Sequence, residues 1–110
     1  MTVKDLTQAL GLTVLSQGDP TAAVTGCYCG DLLSWVMSRA QAGDAWLTVM
    51  GNINSMGVAA LTDAACIILT DNAPLDADAL QRARENEICV LQTSDGAYQT
   101  AIRIHEFLQS

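Results

Sequence analysis

The chain is short of positive charge. Five basic residues, Lys4, Arg39, Arg82, Arg84 and Arg103, stand against twelve acidic ones and leave a net charge of −7 over 110 residues. They are scattered rather than grouped. Nucleic-acid binding needs a basic stripe that displaces counterions from phosphates, and an anionic membrane surface makes a similar demand. Neither is expected as a partner, and the acidic balance reads as solubility. No apolar run approaches the roughly 20 residues needed to span a bilayer. No apolar stretch follows Met1-Thr2-Val3-Lys4-Asp5, so no signal peptide is expected and the cytoplasm is the expected location. There is no G-x-S-x-G nucleophile elbow, no G-x-x-x-x-G-K-[ST] phosphate loop and no C-x-x-C pair. The single histidine, His105, has no partner nearby in sequence for acid–base work. Repeats, linkers and low-complexity segments are absent.

What remains is hydrophobic and patterned. Apolar residues make up 50% of the chain and the mean hydropathy is +0.24, which favours one folded domain over residues 1–110. Three short apolar runs punctuate the second half. Ala45–Met50 ends at Gly51-Asn52, Cys66–Thr70 ends at Asp71-Asn72, and Ile88–Leu91 ends at Gln92-Thr93-Ser94. Continuous runs of this length read as strands buried on both faces. The segments between them have helical spacing. This alternation predicts a compact α/β domain with a mostly parallel sheet of four or five strands covered by helices, the three runs being central. Ligands of such sheets bind in loops leaving the carboxyl ends of the strands.

Earlier in the chain, Thr2-Val3-Lys4-Asp5 fits a capping box, with Val3, Leu6 and Leu10 on one helical face and Gly11 as its stop. Leu12–Leu15 and Val24–Cys29 read as short extended segments around the turn at Gln17-Gly18-Asp19-Pro20. Gly30-Asp31 opens a helix, with Asp31 the expected N-cap and Leu32, Leu33, Val36, Met37 and Ala40 its buried stripe. Asn54 or Ser55 is the expected cap of the helix running to about Asp63, with Met56, Ala59 and Ala60 inward. Pro74 and Asp76 start a helix that carries Leu80 and Ala83 on one face and Arg82, Arg84 and Glu85 on the other. Ser94 and Asp95 start the last, whose stripe reads Tyr98, Ala101, Ile102 and His105, with Leu108 close by.

These residues together resemble a known family. Val24-Thr25-Gly26, Gly30-Asp31-Leu32-Leu33-Ser34, the strand ending in Met50-Gly51-Asn52, the helix segment Val58-Ala59-Ala60-Leu61 and the run Cys66–Thr70 look like the DRTGG domain, which is similar to the N-terminal domain of HPr kinase. The resemblance covers about Thr2 to Leu108 and suggests a stand-alone version. It implies a compact α/β domain that often pairs with itself. Such domains are usually attached to other modules, including CBS pairs, phosphotransacetylases and cobyrinic-acid-synthase-like enzymes, in a regulatory or ligand-sensing role. The motif that names the family falls in the loop after Ala45–Met50. Here it keeps a glycine but reads Gly51-Asn52-Ile53-Asn54-Ser55-Met56-Gly57, with Asn52-Ile53 in place of the acid–arginine pair.

Candidate chemistry is sparse. The Gly51–Gly57 loop leads to a helix N-terminus, whose free N–H groups can hold an anion; glycine freedom and helix capping explain the same residue types. Gly51, Asn52, Asn54 and Ser55, with Gly30 and Asp31, are the candidate ligand-binding residues. Cys27-Tyr28-Cys29 is the sharpest-looking motif. Its spacing puts both thiols on one face of a strand, either as a redox or half-metal pair or as two small hydrophobes packed on the core side, the reading preferred. Cys66 and Cys89 lie within apolar runs and read as core. No metal or cofactor is expected. His105 reads as a helix-end residue favoured by the dipole. Trp35 falls beside its helical stripe and is the candidate contact of a homodimer. The function expected is therefore a non-catalytic regulatory, ligand-sensing or interaction domain that acts as a dimeric accessory protein, with a small ligand or a partner protein as what it binds. The alternative is a redox or metal-binding accessory using Cys27 and Cys29.

Overall fold

Strands and helices alternate from the second strand onward in a computed structural model that describes residues 1–110. Helix α1 (Val3–Leu10) leads into β1 (Thr13–Ser16) and β2 (Gly26–Cys29). Then follow α2 (Leu33–Arg39), β3 (Asp44–Thr48), α3 (Ile53–Thr62), β4 (Cys66–Leu69), α4 (Ala77–Glu85), β5 (Val90–Gln92) and α5 (Ala97–Gln109). The strands form one sheet in the order β1-β5-β4-β3-β2. β2 through β5 are parallel neighbours, while β1 joins the outside of β5 antiparallel.

The sheet is covered on both faces, which is why its central strands are apolar without alternation. Every residue of β3 and of β4 is buried. Leu47 and Ile68 turn to one face, where they pack with Leu6, Leu10 and Ile104 of α1 and α5. Trp46, Ile67 and Leu69 turn to the other, against Val36, Met56, Ala59, Ala79 and Ala83 of α2, α3 and α4. Each fully buried Leu, Ile or Met contributes roughly 1.5–3 kcal/mol through loss of apolar surface from water. The small residues Ala59, Ala79 and Ala83 let the helices approach the sheet closely.

Local chemistry sets the helix ends. Thr2 and Asp5 form the expected capping box: the Asp5 N–H donates to Thr2 Oγ1 at 3.2 Å and the Thr2 N–H donates to Asp5 Oδ2 at 3.0 Å. Gly11 closes α1 at φ 65°, a conformation glycine adopts without strain.

Several local expectations are corrected. Asn52, not Asn54 or Ser55, caps α3: its Oδ1 accepts from the Ser55 N–H at 3.0 Å and from the Ser55 hydroxyl at 3.2 Å. Asp31 does not cap α2, which starts two residues later without a side-chain cap. Gly96 stands at the N-cap of α5, not Ser94 or Asp95. The α2 stripe is narrow. Val36 is buried, Leu33 and Ala40 are half-buried, and Leu32 and Met37 are exposed, because α2 lies over the edge of the sheet. Ala60 also faces solvent. The inward face of α5 is rotated from the one expected. Thr100 and Ile104 are buried with Ala101 and Phe107 beside them, whereas Tyr98, Ile102 and His105 are exposed. No helix is long and apolar enough to cross a membrane.

Candidate functional site

The carboxyl ends of β2, β3 and β4 open side by side, as the parallel topology requires. Between them lies a cleft of about 340 Å³, closed on one side by Ala97 at the start of α5. Its floor is hydrogen-bonded from strand to strand: the Gly30 N–H donates to the Leu47 carbonyl at 3.1 Å and the Thr70 N–H to the Thr48 carbonyl at 3.2 Å. A groove of about 420 Å³ between α1 and the β1 edge is larger, but Lys4 is the single charged side chain among its lining residues.

Asp31 is the organising residue of the cleft. Freed from capping α2, its Oδ1 accepts from the Thr48 hydroxyl at 2.7 Å and from the Val49 N–H at 3.0 Å. The Thr48 oxygen in turn accepts from the Met50 N–H at 3.2 Å. Below this bridge, the indole N–H of buried Trp46 donates to the Gly30 carbonyl at 2.9 Å. With the Gly30–Leu47 bond, the loop after β2 is thus tied to the end of β3 by four hydrogen bonds. Asp71, at the end of β4, supplies a second carboxylate, which lies near Gly96 at the N-terminus of α5. A helix N-terminus favours a negative charge there. The residues lining the cleft include Asp31 and Asp71 but no Lys or Arg. The nearby Arg103 is engaged elsewhere, donating to Asp95 at 3.1 Å and to the Leu10 carbonyl at 3.0 Å.

The six candidate ligand-binding residues divide into two groups. Gly30 and Asp31 line the cleft. Gly51, Asn52, Asn54 and Ser55 lie outside its lining. Gly51 is buried against the loop before α4, where its carbonyl accepts from the Asp76 N–H at 2.8 Å and an added Cβ would collide with the Pro74 carbonyl oxygen. Asn52 and Ser55 are spent on the α3 cap, Ser55 being fully buried, and Asn54 is exposed. Sequence reading missed Thr48, Thr70 and Asp71. The signal available was position alone: each lies at or just past the end of a parallel strand.

Cys27 and Cys29 are exposed, not packed on the core side. They turn to the same side as Ala45 and Leu47, their register partners on β3, yet β2 is the edge strand and its rim stays open to water. Their sulfurs are 4.0 Å apart. Contact between the two thiols makes Cys29 the easier to ionise, down to about 7, and pushes Cys27 up. Burial pushes Cys66 well up and Cys89 up to about 12. Trp35 is 51% exposed, and the Arg39 guanidinium lies 3.9 Å from its ring centroid.

Comparison with known proteins agrees with this architecture. The family model of the DRTGG domain matches residues 5–107. No curated protein matches the chain. Among solved structures, the fold is similar to the CBS and DRTGG domains of the regulatory region of Clostridium perfringens pyrophosphatase, complexed with its activator diadenosine tetraphosphate. The TM-score is 0.71 at 11% identity. The match covers 94% of this chain and 45% of that one, so the chain spans under half the length of the protein it resembles.

Proposed function

The chain belongs to the DRTGG domain family, and we propose on that premise that it is a non-catalytic regulatory domain that works as a homodimer and senses a small ligand in the strand-end cleft. The observation that carries this reading is the cleft itself, set at the carboxyl ends of three parallel strands and braced by the Asp31–Thr48 bridge. Its fold likeness to the regulatory region of the Clostridium perfringens pyrophosphatase, a protein bound to a nucleotide activator, supports the regulatory role. The charges narrow the ligand. With Asp31 and Asp71 at the cleft and no Lys or Arg in its lining, the field opposes polyphosphates and favours neutral or cationic molecules that offer hydrogen-bond donors. Pairing is supported by the exposed apolar side chains on and beside α2, Leu32 at 57%, Trp35 at 51% and Met37 at 52%.

A ligand that prefers the native state raises apparent stability. A thermal-shift screen of nucleosides, polyamines, amino acids and nucleoside polyphosphates tests the reading. A hit among the neutral or cationic compounds that is lost in Asp31→Asn is expected. Stabilisation by polyphosphates that survives this substitution would move the ligand site elsewhere.

A further inference from the structure

The thiols of Cys27 and Cys29 form a feature that the cleft reading does not use. They sit two residues apart on the edge strand β2, both exposed, with their sulfurs 4.0 Å from each other. Neither pairs with Cys66 or Cys89, which are buried.

The spacing discriminates between fates of such a pair. Two metal–sulfur bonds of about 2.3 Å span a gap of this size at an angle of about 120°. One thiophilic ion therefore fits between the sulfurs with the backbone in place. A disulfide fits poorly. Residues two apart on a strand have Cα atoms about 6.6–6.8 Å apart, the upper limit of the range a disulfide bridges, and the sulfurs would have to close to about 2.05 Å. The surroundings limit the ion further. No group of three or more His, Cys, Asp or Glu side chains is placed to hold a metal, so the four ligands of a structural zinc site are missing. Two exposed soft donors at about 120° with an open third position suit a soft ion of low coordination number. Thiolates select Cu(I), zinc and iron–sulfur clusters; structural zinc and the clusters take four protein ligands, which leaves Cu(I).

We propose that Cys27 and Cys29 form a two-thiolate binding site for a soft monovalent metal ion of the Cu(I) class. Binding replaces the two thiol protons by one ion, two metal–sulfur bonds forming as two S–H bonds break and two protons leave to solvent. No oxidation state changes. The site stands on the rim of the sheet, where Cys29 also borders the strand-end cleft.

The test is a titration of the reduced full chain, under argon, with Cu(I) held by a coloured chelator. The expected result is withdrawal of one ion per chain. Cys27→Ser and Cys29→Ser should each abolish it, Cys66→Ala should retain it, and circular dichroism should show all variants folded. Bound copper should also protect Cys27 and Cys29 from alkylation, read by mass spectrometry. Failure to withdraw copper would overturn the proposal, as would withdrawal that persists in Cys27→Ser or in Cys29→Ser. Equal retention of Zn(II) against a zinc chelator would overturn the low-coordinate assignment.

Discussion

Replacing Asp31 with alanine probes the bridge that braces the cleft. Two hydrogen bonds end on its carboxylate, one from the Thr48 hydroxyl and one from the Val49 N–H. Bonds to a charged acceptor contribute about 1.5–3 kcal/mol each when shielded from water. Here the carboxylate is exposed and the Val49 N–H is open to solvent, so water replaces much of what is lost. The buried Thr48 hydroxyl carries most of the effect, and the expected cost is about 1–2 kcal/mol. For a domain of this size each kcal/mol lowers the melting temperature by roughly 4 °C. Thr48→Val removes the donor and also the acceptor of the Met50 N–H. If the two residues act through their shared bond, the double variant loses less than the sum of the single ones, by about 0.5–1.5 kcal/mol. Urea denaturation of the four proteins measures this. Additivity within about 0.3 kcal/mol would refute the bridge. A cost from Asp31→Ala that is confined to α2, with Thr48→Val uncoupled, would return Asp31 to the helix-cap role.

Trp35→Ser should weaken self-association by roughly tenfold, as expected for an exposed aromatic anchor, without changing monomer stability; sedimentation at micromolar concentration measures it. A clean monomer in the parent chain would sink the dimer. Gly51→Ala should destabilise the fold by about 1–3 kcal/mol because the new methyl meets the Pro74 carbonyl, and thermal melting with no ligand present should already show it. Iodoacetamide should label Cys27 and Cys29 in the native protein and reach Cys66 and Cys89 only in denaturant. Because the thiolate is the reactive form, labelling at Cys29 should rise with pH through about 7 and then level off; a rate that still climbs about tenfold per unit above pH 8 (about one unit past that value) would contradict the thiol–thiol contact.

The elements that were legible in the sequence are those whose burial is symmetrical. Strands β3 and β4 lie between two helical layers, so each reads as an unbroken apolar run, and the Thr2–Asp5 capping box is written locally. What was not legible depends on neighbours distant in sequence. The order of strands leaves β2 on the rim, and that leaves Cys27 and Cys29 open to water on a face that is covered elsewhere. Thr100 is buried on α5 because its hydroxyl donates to the Gly96 carbonyl at 2.8 Å, so a polar residue marks the inward face while Ile102 points away and distorts the apolar pattern. Asn52, Asn54 and Ser55 are equally good caps by type, and only the backbone turn at Asn52 chooses among them. Asp31 resembles a helix cap for the same reason. Its actual partners lie 17 and 18 residues further on, beyond what local pattern can show.

The antiparallel addition of β1 to β5 has a consequence for how the chain is made. Thr13 pairs with Gln92 and Val14 with Leu91, and Arg103 reaches back to the Leu10 carbonyl across 93 positions. The start of α1 meets Ala22 and Val24 soon after synthesis, but β1 and the inner face of α1 emerge from the ribosome long before β5 and α5 exist. The segment from β2 to β4 has its neighbours close behind it and can associate as it is synthesised. The amphipathic α1, with Leu6 and Leu10 uncovered, has to wait for α5. Its sequence-distant contacts make the closing step slow, and during that wait an apolar face is open to chaperones and to misassociation. Moving α1 and β1 to follow α5 in a circular permutant would make the contacts with β5 and α5 local, at the expense of those with Ala22 and Val24, and should speed the closing step while leaving the sheet order unchanged.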